Sequence, residues 1–169
     1  MPSCLAHDAG AQLNLTLNIF AFDGDLAGMV KTAQMAREIG VDAAIVSDLG
    51  AIARIAREVP GLDIHVSTQA NTTNSESARV YRALGASRVV LAREMTFEQI
   101  ETMAREIGDE IELETFIHGA VCMSHSGRCM LSSFLNGRSG NRGACSQPCR
   151  WTYSLVERTR PDEPMPIEE

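Results

Sequence analysis

Apolar residues follow two alternating rhythms over the first 120 positions of the chain. Leu13-Asn14-Leu15-Thr16-Leu17-Asn18-Ile19-Phe20 alternates apolar and polar, as a half-buried strand does. Ala43–Val46, Ile64–Val66, Val89–Leu91 and Ile111–Phe116 are four further short β-prone runs. Between them the spacing becomes helical. Leu26, Met29, Val30, Ala33 and Ala36 share one face, with Asp23 or Asp25 as N-cap and Gly40 as stop. Ile52, Ile55, Ala56 and Val59 do the same before Pro60-Gly61. Ala78, Tyr81 and Arg82 mark a third helix, starting near Asn74 or Ser75. Phe97, Ile100, Met103, Ala104 and Ile107 mark a fourth behind the cap Thr96. A weak repeat, Ala-Arg-Glu followed by Ile or Val, ends the helices at Ala36, Ala56 and Ala104. Alternating β and α units predict a parallel sheet, in a barrel or a doubly wound fold. The absence of a Gly-x-Gly-x-x-Gly or Walker loop after the first strand lowers the nucleotide-binding versions.

The rhythm stops after Gly119. We therefore divide the chain into an irregular start (1–12), an incomplete (β/α) barrel (13–119), a Cys/Gly/Arg-rich segment (120–150), and a last part (151–169). That last part opens a new strand at Trp151–Val156 and runs into an acidic, proline-rich tail. At 169 residues the chain is shorter than the ~250 of a complete eight-unit barrel. Hydrophobic residues at 44% and charged residues at 22% exclude a disordered or membrane-embedded chain. The net charge of −7 excludes nucleic-acid binding by the surface as a whole, though not by a local patch. The first residues lack a basic stretch before an apolar block, so a cytoplasmic setting is expected. In parallel α/β folds ligands bind at the carboxyl ends of the strands. Asn18, Ser47-Asp48, Ser67-Thr68-Gln69, Arg93-Glu94 and His118-Gly119 fall there. Asp48 and Thr68 could equally cap the following helices.

Of five cysteines, Cys4 stands alone, and Cys122, Cys129, Cys145 and Cys149 cluster. In a reducing compartment such a cluster points to a metal or reactive site before a staple. Zinc sites favour pairs two to four residues apart, and only Cys145 and Cys149 fit that habit. Wide spacing on a glycine-rich loop suits an iron–sulfur cluster, which accepts ligands from several directions. Zinc and uncoordinated thiols remain as alternatives. From Thr115 to Val156 there is no Asp or Glu, yet Arg128, Arg138, Arg142 and Arg150 are present. They could neutralise an anionic cluster or bind an anionic substrate. His118 and His125 flank Cys122, so a Cys-His nucleophile is a third chemistry to weigh. No His-Glu-x-x-His is present.

Glu114-Thr115-Phe116-Ile117-His118-Gly119-Ala120-Val121-Cys122, followed by Gly127-Arg128-Cys129-Met130-Leu131-Ser132, resembles the signature of the collagenase-like peptidase family U32. Ser139–Gly143, Cys145–Arg150, Ser67–Gln69 and Ala92–Glu94 are similar to the same family. The resemblance implies a TIM-type barrel with a cysteine-bound [4Fe–4S] cluster, held by Cys122, Cys129, Cys145 and Cys149. The family name implies a peptidase. Its better-understood branches imply RNA-modifying hydroxylases: one acts on the tRNA wobble uridine with prephenate as co-substrate, another on a cytidine of ribosomal RNA. A third acts on a quinone precursor. Cys149–Tyr153 and Leu155–Glu157 are most similar to the tRNA branch. Family members carry further β-α units on either side, so a fragment is expected. RNA (tRNA) or a small carboxylate is the expected partner, with no membrane. A non-catalytic, cluster-bearing subunit of a larger assembly is a third reading. Gln69, Arg93, Glu94 and His118 are expected to line a polar cup beside the cluster loop. Arg93, with Arg142 reaching in, would grip a carboxylate, and Glu94 or His118 would handle protons. The rival for Arg93 and Glu94 is a structural pair with each other at the rim.

Overall fold

The structure, a computed structural model, describes residues 2–119 and 122–166. Met1, Ala120, Val121, Ile167, Glu168 and Glu169 lie outside the described residues, and with them two positions of the signature and the end of the tail.

The strands β1 (Asn14–Leu17), β2 (Ala43–Val46), β3 (Asp63–Val66), β4 (Arg88–Val90) and β5 (Glu112–Glu114) form one parallel sheet in the order of the sequence. Helices α2 (Asp23–Glu38), α3 (Leu49–Glu58), α4 (Ser75–Ala83) and α5 (Phe97–Ile107) connect them in turn. A sheet whose order never reverses is singly wound, and right-handed crossovers then put every connecting helix on the same face. The burial pattern agrees. Ala44, Val46, Ile64, Val66 and Val89 enter the core with Ile52, Ile55, Ala78 and Met103 from the helices. The alternate strand positions face the other way. There Arg88 bridges Glu112 (2.7 Å) and Glu114 (3.2 Å) on the neighbouring strand, and His65 is buried with its pKa pushed down by desolvation.

The helix starts are set by short polar side chains. Asp48, Asn74 and Thr96 each accept a hydrogen bond from the backbone N–H three residues on. At α2 the expected cap is displaced by one role. Phe22 is the N-cap residue, and Asp25 reaches back to accept its N–H at 2.9 Å.

Two expectations fail. Residues 1–12 were expected to be irregular, but Pro2–Asp8 forms helix α1. Ser3 donates to the Ile39 carbonyl, and Asp42 holds both His7 (3.0 Å) and the Leu13 N–H (2.7 Å). The start is thus tied to the end of α2 by polar contacts that carry no periodic signal. The last part, expected to hold one strand at Trp151–Val156 before an acidic, proline-rich tail, is paired throughout Ser154–Glu157 and Arg160–Pro166. Strands β6 (Ser154–Glu157) and β7 (Arg160–Pro166) pair as an antiparallel hairpin. Its prolines survive because a two-stranded ribbon has a free edge on each side. Beyond β5 lie the short helix α6 (Leu131–Asn136) and several single turns.

Gly85, between α4 and β4, has φ +101°, and a Cβ there would meet the Ala56 Cβ at 2.9 Å. Both the backbone conformation and the close approach of α3 require glycine. Gly85→Ala should lower stability by at least about 1 kcal/mol, read as a lower denaturation midpoint at unchanged slope. An unchanged midpoint would contradict this packing.

Candidate functional site

The strand ends first lock to one another. Ser47 donates to the Asn18 carbonyl (2.8 Å), Asn18 reaches Ser67 (3.3 Å), and Thr68 donates to the Leu91 carbonyl (2.9 Å). Asp48 caps α3, as one reading of the sequence had it. This network gives the carboxyl edge of the sheet a fixed rim.

The cysteine segment is bolted onto that rim through Ser126. This residue is fully buried and left-handed, at φ 44°. Its N–H and its hydroxyl both donate to the Glu94 carboxylate, each at 2.5 Å, and its oxygen accepts the Arg93 N–H at 3.3 Å. Asn71, itself left-handed, donates to His125 at Nδ1 (2.9 Å) and at the backbone carbonyl (3.0 Å). Arg128 donates to the Gln69 carbonyl at 3.1 Å. Three strand-end positions thus hold residues 125–128. Partial desolvation pushes the Glu94 carboxyl up, but the two bonds from Ser126 outweigh it and its pKa lies below the usual range.

A second brace comes from residues 139–143. Asn141 accepts the Phe20 N–H on its backbone carbonyl (2.9 Å) and the Cys129 N–H on its side chain (3.1 Å). Arg142 grips both oxygens of Asp25 (2.7 and 3.0 Å) and the Phe20 carbonyl (2.9 Å). The Arg142 guanidinium holds the Asp25 carboxyl down to about 2.

Between these braces lies a cavity of about 270 Å³. Cys122, Cys129, Cys145 and Cys149 all line it, with Gln69, Arg93, Gly127, Gly140 and Arg150. Four thiols spread along the sequence are therefore gathered around one space. The Leu131 N–H donates to the Cys129 sulfur and the Gln147 N–H to the Cys145 sulfur, both at 3.3 Å. The Ser124 hydroxyl first, then the Leu131 N–H, hold the Cys129 thiol below its ordinary pKa. Gly140 sits so close to Cys145 that a Cβ would come within 3.3 Å of the cysteine Cβ. Among the described residues, no three His, Cys, Asp or Glu side chains converge tightly enough to hold a single metal ion.

The expected polar residues divide. Gln69 and Arg93 line the cup with the four cysteines. Arg93 lies 5.9 Å from the centre of the Phe116 ring, and its Nε has no hydrogen-bond partner among the described residues. The rival pairing of Arg93 with Glu94 does not occur among the described residues, because Glu94 is taken up by Ser126. Glu94 was expected to move protons; its place is that of an anchor below the cup. Arg142 was expected to reach into the cup; it points to Asp25 and lies over Phe22, at 5.1 Å. His118 is exposed, lines no part of the cup, and makes no hydrogen bond to Cys122 among the described residues. Ser126, Asn71 and Asn141 were missed. The only local sign of them was their position beside glycines or at a strand end.

A singly wound α/β sheet with a four-cysteine cup at its carboxyl edge defines the class. The family model described as peptidase family U32 matches residues 3–168, and the chain belongs to that family. The tRNA hydroxylation protein P of Haemophilus influenzae is 38% identical over 157 residues, covering 93% of this chain and 34% of the relative. The 23S rRNA 5-hydroxycytidine C2501 synthase of Escherichia coli is 37% identical, covering 90% of this chain and 22% of its own length. A protein named collagenase from Porphyromonas gingivalis is also 37% identical, with 91% and 39% covered. The chain thus spans between about a fifth and two fifths of these relatives. A solved U32 peptidase shares the fold at a TM-score of 0.56 and 21% identity, over 67% of this chain and 48% of that one.

Glu94→Ala should free residues 125–128, because the buried Ser126 loses the charged acceptor of both its donors, at a cost of about 1–3 kcal/mol. Limited trypsin digestion should then cut after Arg128 well before the fold opens. The wild-type chain should gain the same sensitivity as pH falls. A carboxyl with a lowered folded pKa stabilises above its ordinary value, and that contribution is lost as pH drops through the lowered one. Equal digestion of both proteins at neutral pH would remove the anchor role.

Proposed function

We propose that this chain forms the cluster-binding part of an RNA hydroxylase that works on a uridine of tRNA with a dicarboxylate such as prephenate as co-substrate. The observation that carries the reading is the convergence of all four clustered cysteines, with Gln69 and Arg93, on one cup. In this reading the five-stranded sheet is a segment of a TIM-type barrel, whose strands likewise follow sequence order.

The donor set fits a four-iron, four-sulfur cluster. Tetrahedral zinc with bonds of about 2.3 Å would bring its sulfurs within about 4 Å of one another. The cysteines here surround a cavity instead of a point. Cys122, Cys129, Cys145 and Cys149 would hold the cluster, and the N–H groups of Leu131 and Gln147 would temper the charge on two of its sulfurs. When bound, the cluster supplies one-electron redox chemistry. Arg93 fixes a carboxylate beside it: its guanidinium is held by the Phe116 ring and spends no charge on a neighbouring acid. Gln69 orients the same ligand from beside Gly127, where a Cβ would lie 3.6 Å from both the Arg93 and the Gln69 side chains. The thiols require a reducing, cytoplasmic setting.

Relatives named for tRNA and for 23S rRNA hydroxylation support RNA as the substrate class. The relative named collagenase keeps a peptidase reading in view. Against it, no histidine bonds to a cysteine or serine among the described residues, so the nucleophile–base pair of a thiol or serine protease is not assembled there.

The test replaces the matching segment of the H. influenzae relative with this chain, in a host lacking its own hydroxylation protein. Nucleoside mass spectrometry of bulk tRNA should show hydroxylated uridine restored. Arg93→Ala in the same chimera should cut modification about ten- to a hundred-fold when the carboxylate is limiting, the loss of one charge-assisted bond of about 1.5–3 kcal/mol. A soluble, iron-loaded chimera that leaves uridine unmodified would contradict the reading. Gelatin cleavage that needs Cys122 but no iron would replace it with the peptidase.

A further inference from the structure

Three guanidinium–aromatic stacks lie on the segments that border the cysteine cup. Arg93 lies over Phe116 at 5.9 Å, Arg128 over Phe20 at 5.4 Å, and Arg142 over Phe22 at 5.1 Å. Each is tied to the cup by a contact already described. Arg93 lines it, Arg128 bonds to Gln69, and Arg142 follows Asn141, which holds Cys129. The rings are not spent on the core: Phe22 is 70% exposed and Phe116 55%. Large rings left open to water in this way cost hydrophobic free energy unless something covers them.

Charge says what covers them. The chain is acidic as a whole, but residues 115–156 contain four arginines and no acid. Two acids beside this rim are occupied, Glu94 by Ser126 and Asp25 by Arg142. Phe116, backed by an Arg93 guanidinium that meets no acid among the described residues, presents a flat face beside a fixed positive charge, whereas at Phe22 the Arg142 charge is matched by Asp25 and the ring itself is what is offered. Unpaired nucleobases use that combination, stacking on the ring while the neighbouring phosphate meets the arginine. A paired duplex cannot, because its bases are already stacked and its narrow groove hides their edges.

Resting on the RNA reading above, we propose that Phe22 and Phe116 form a stacking rim that seats an unpaired RNA loop across the mouth of the cysteine cup. The rim selects single-stranded over double-stranded RNA and holds splayed bases on either side of the cup.

Fluorescence anisotropy tests this with the intact chain, using a uridine-rich RNA hairpin loop and a fully paired duplex of the same length. The hairpin should bind at least ten-fold tighter than the duplex. Phe22→Ala and Phe116→Ala should each weaken hairpin binding by about five- to a hundred-fold, the range of one lost stack, with little effect on the duplex. Phe22→Leu and Phe116→Leu keep the apolar contact and remove the π face, so they should weaken it nearly as much. Circular dichroism melts of all four variants show whether the fold is kept. Equal binding of hairpin and duplex, or full hairpin binding by the folded leucine variants, would overturn the rim. So would sedimentation showing a dimer that the alanine variants dissociate, which would make these rings a protein interface. If the chimera described above hydroxylates tRNA normally with both phenylalanines replaced, the rim fails while the function stands. If hairpin binding depends on the rings but no uridine is modified, the reaction fails while the rim stands.

Discussion

The seating of residues 125–129 at the carboxyl edge of this sheet depends on one pair of hydrogen bonds, from the Ser126 amide and hydroxyl to the Glu94 carboxylate. Ser126 is a non-glycine residue in the left-handed region and fully buried, two costs that a short loop does not sustain by itself. The carboxylate offsets both by accepting the amide and the hydroxyl together, and charge-assisted bonds are roughly twice as strong as neutral ones. Once Ser126 is fixed, Gly127 is forced against Gln69 and Arg93, Arg128 falls onto the Gln69 carbonyl, and Cys129 arrives at the cup. Glu94 therefore matters to the cup without entering it.

The second brace is independent of the first and works on the other side. Asn141 and Arg142 connect the same loop to the turn after β1, through Phe20 and Asp25. Cys129 is thus held from two directions, by the Ser126 side through the chain and by Asn141 through its own amide. Cys145 and Cys149 are supported through their neighbours, by the Gln147 N–H on the Cys145 sulfur, the bonds of Ser146 to Ser132 and Asn136, and the turn at Pro148–Arg150. Of the four thiols Cys129 has the most direct contacts, its amide on Asn141 and its sulfur on the Leu131 N–H.

Much of the fold was legible because it rests on periodic burial. The strands at Ala43–Val46 and Ile64–Val66 and the helix faces of Ile52, Ile55, Met103 and Ile107 are read directly from spacing, and their caps Asp48, Asn74 and Thr96 from residue type. Strand β6 overlaps the strand expected at Trp151–Val156, but helix α1 and strand β7 were not legible, since one is held by the polar contacts of Ser3 and Asp42 and the other by cross-strand pairing. At the site, residue type named the cysteines, Gln69 and Arg93 correctly as neighbours. It misjudged Glu94 and Arg142 for one shared reason. A charged side chain at a strand end or on a glycine-rich loop looks the same in sequence whether it faces a ligand or a partner within the chain. Only the positions of Ser126 and Asp25 decide, and both are distant in sequence.

The central claim is that the four gathered thiols act together on one object larger than a single ion. Mössbauer spectroscopy of the chain reconstituted anaerobically with iron-57 and sulfide tests it most directly. The account predicts about four irons per chain in one delocalised four-iron cluster, falling sharply when Cys129 is replaced by serine and less when Cys149 is. Mononuclear iron or stoichiometric zinc on the same cysteines, with the Cys129 and Cys149 variants indistinguishable, would contradict it.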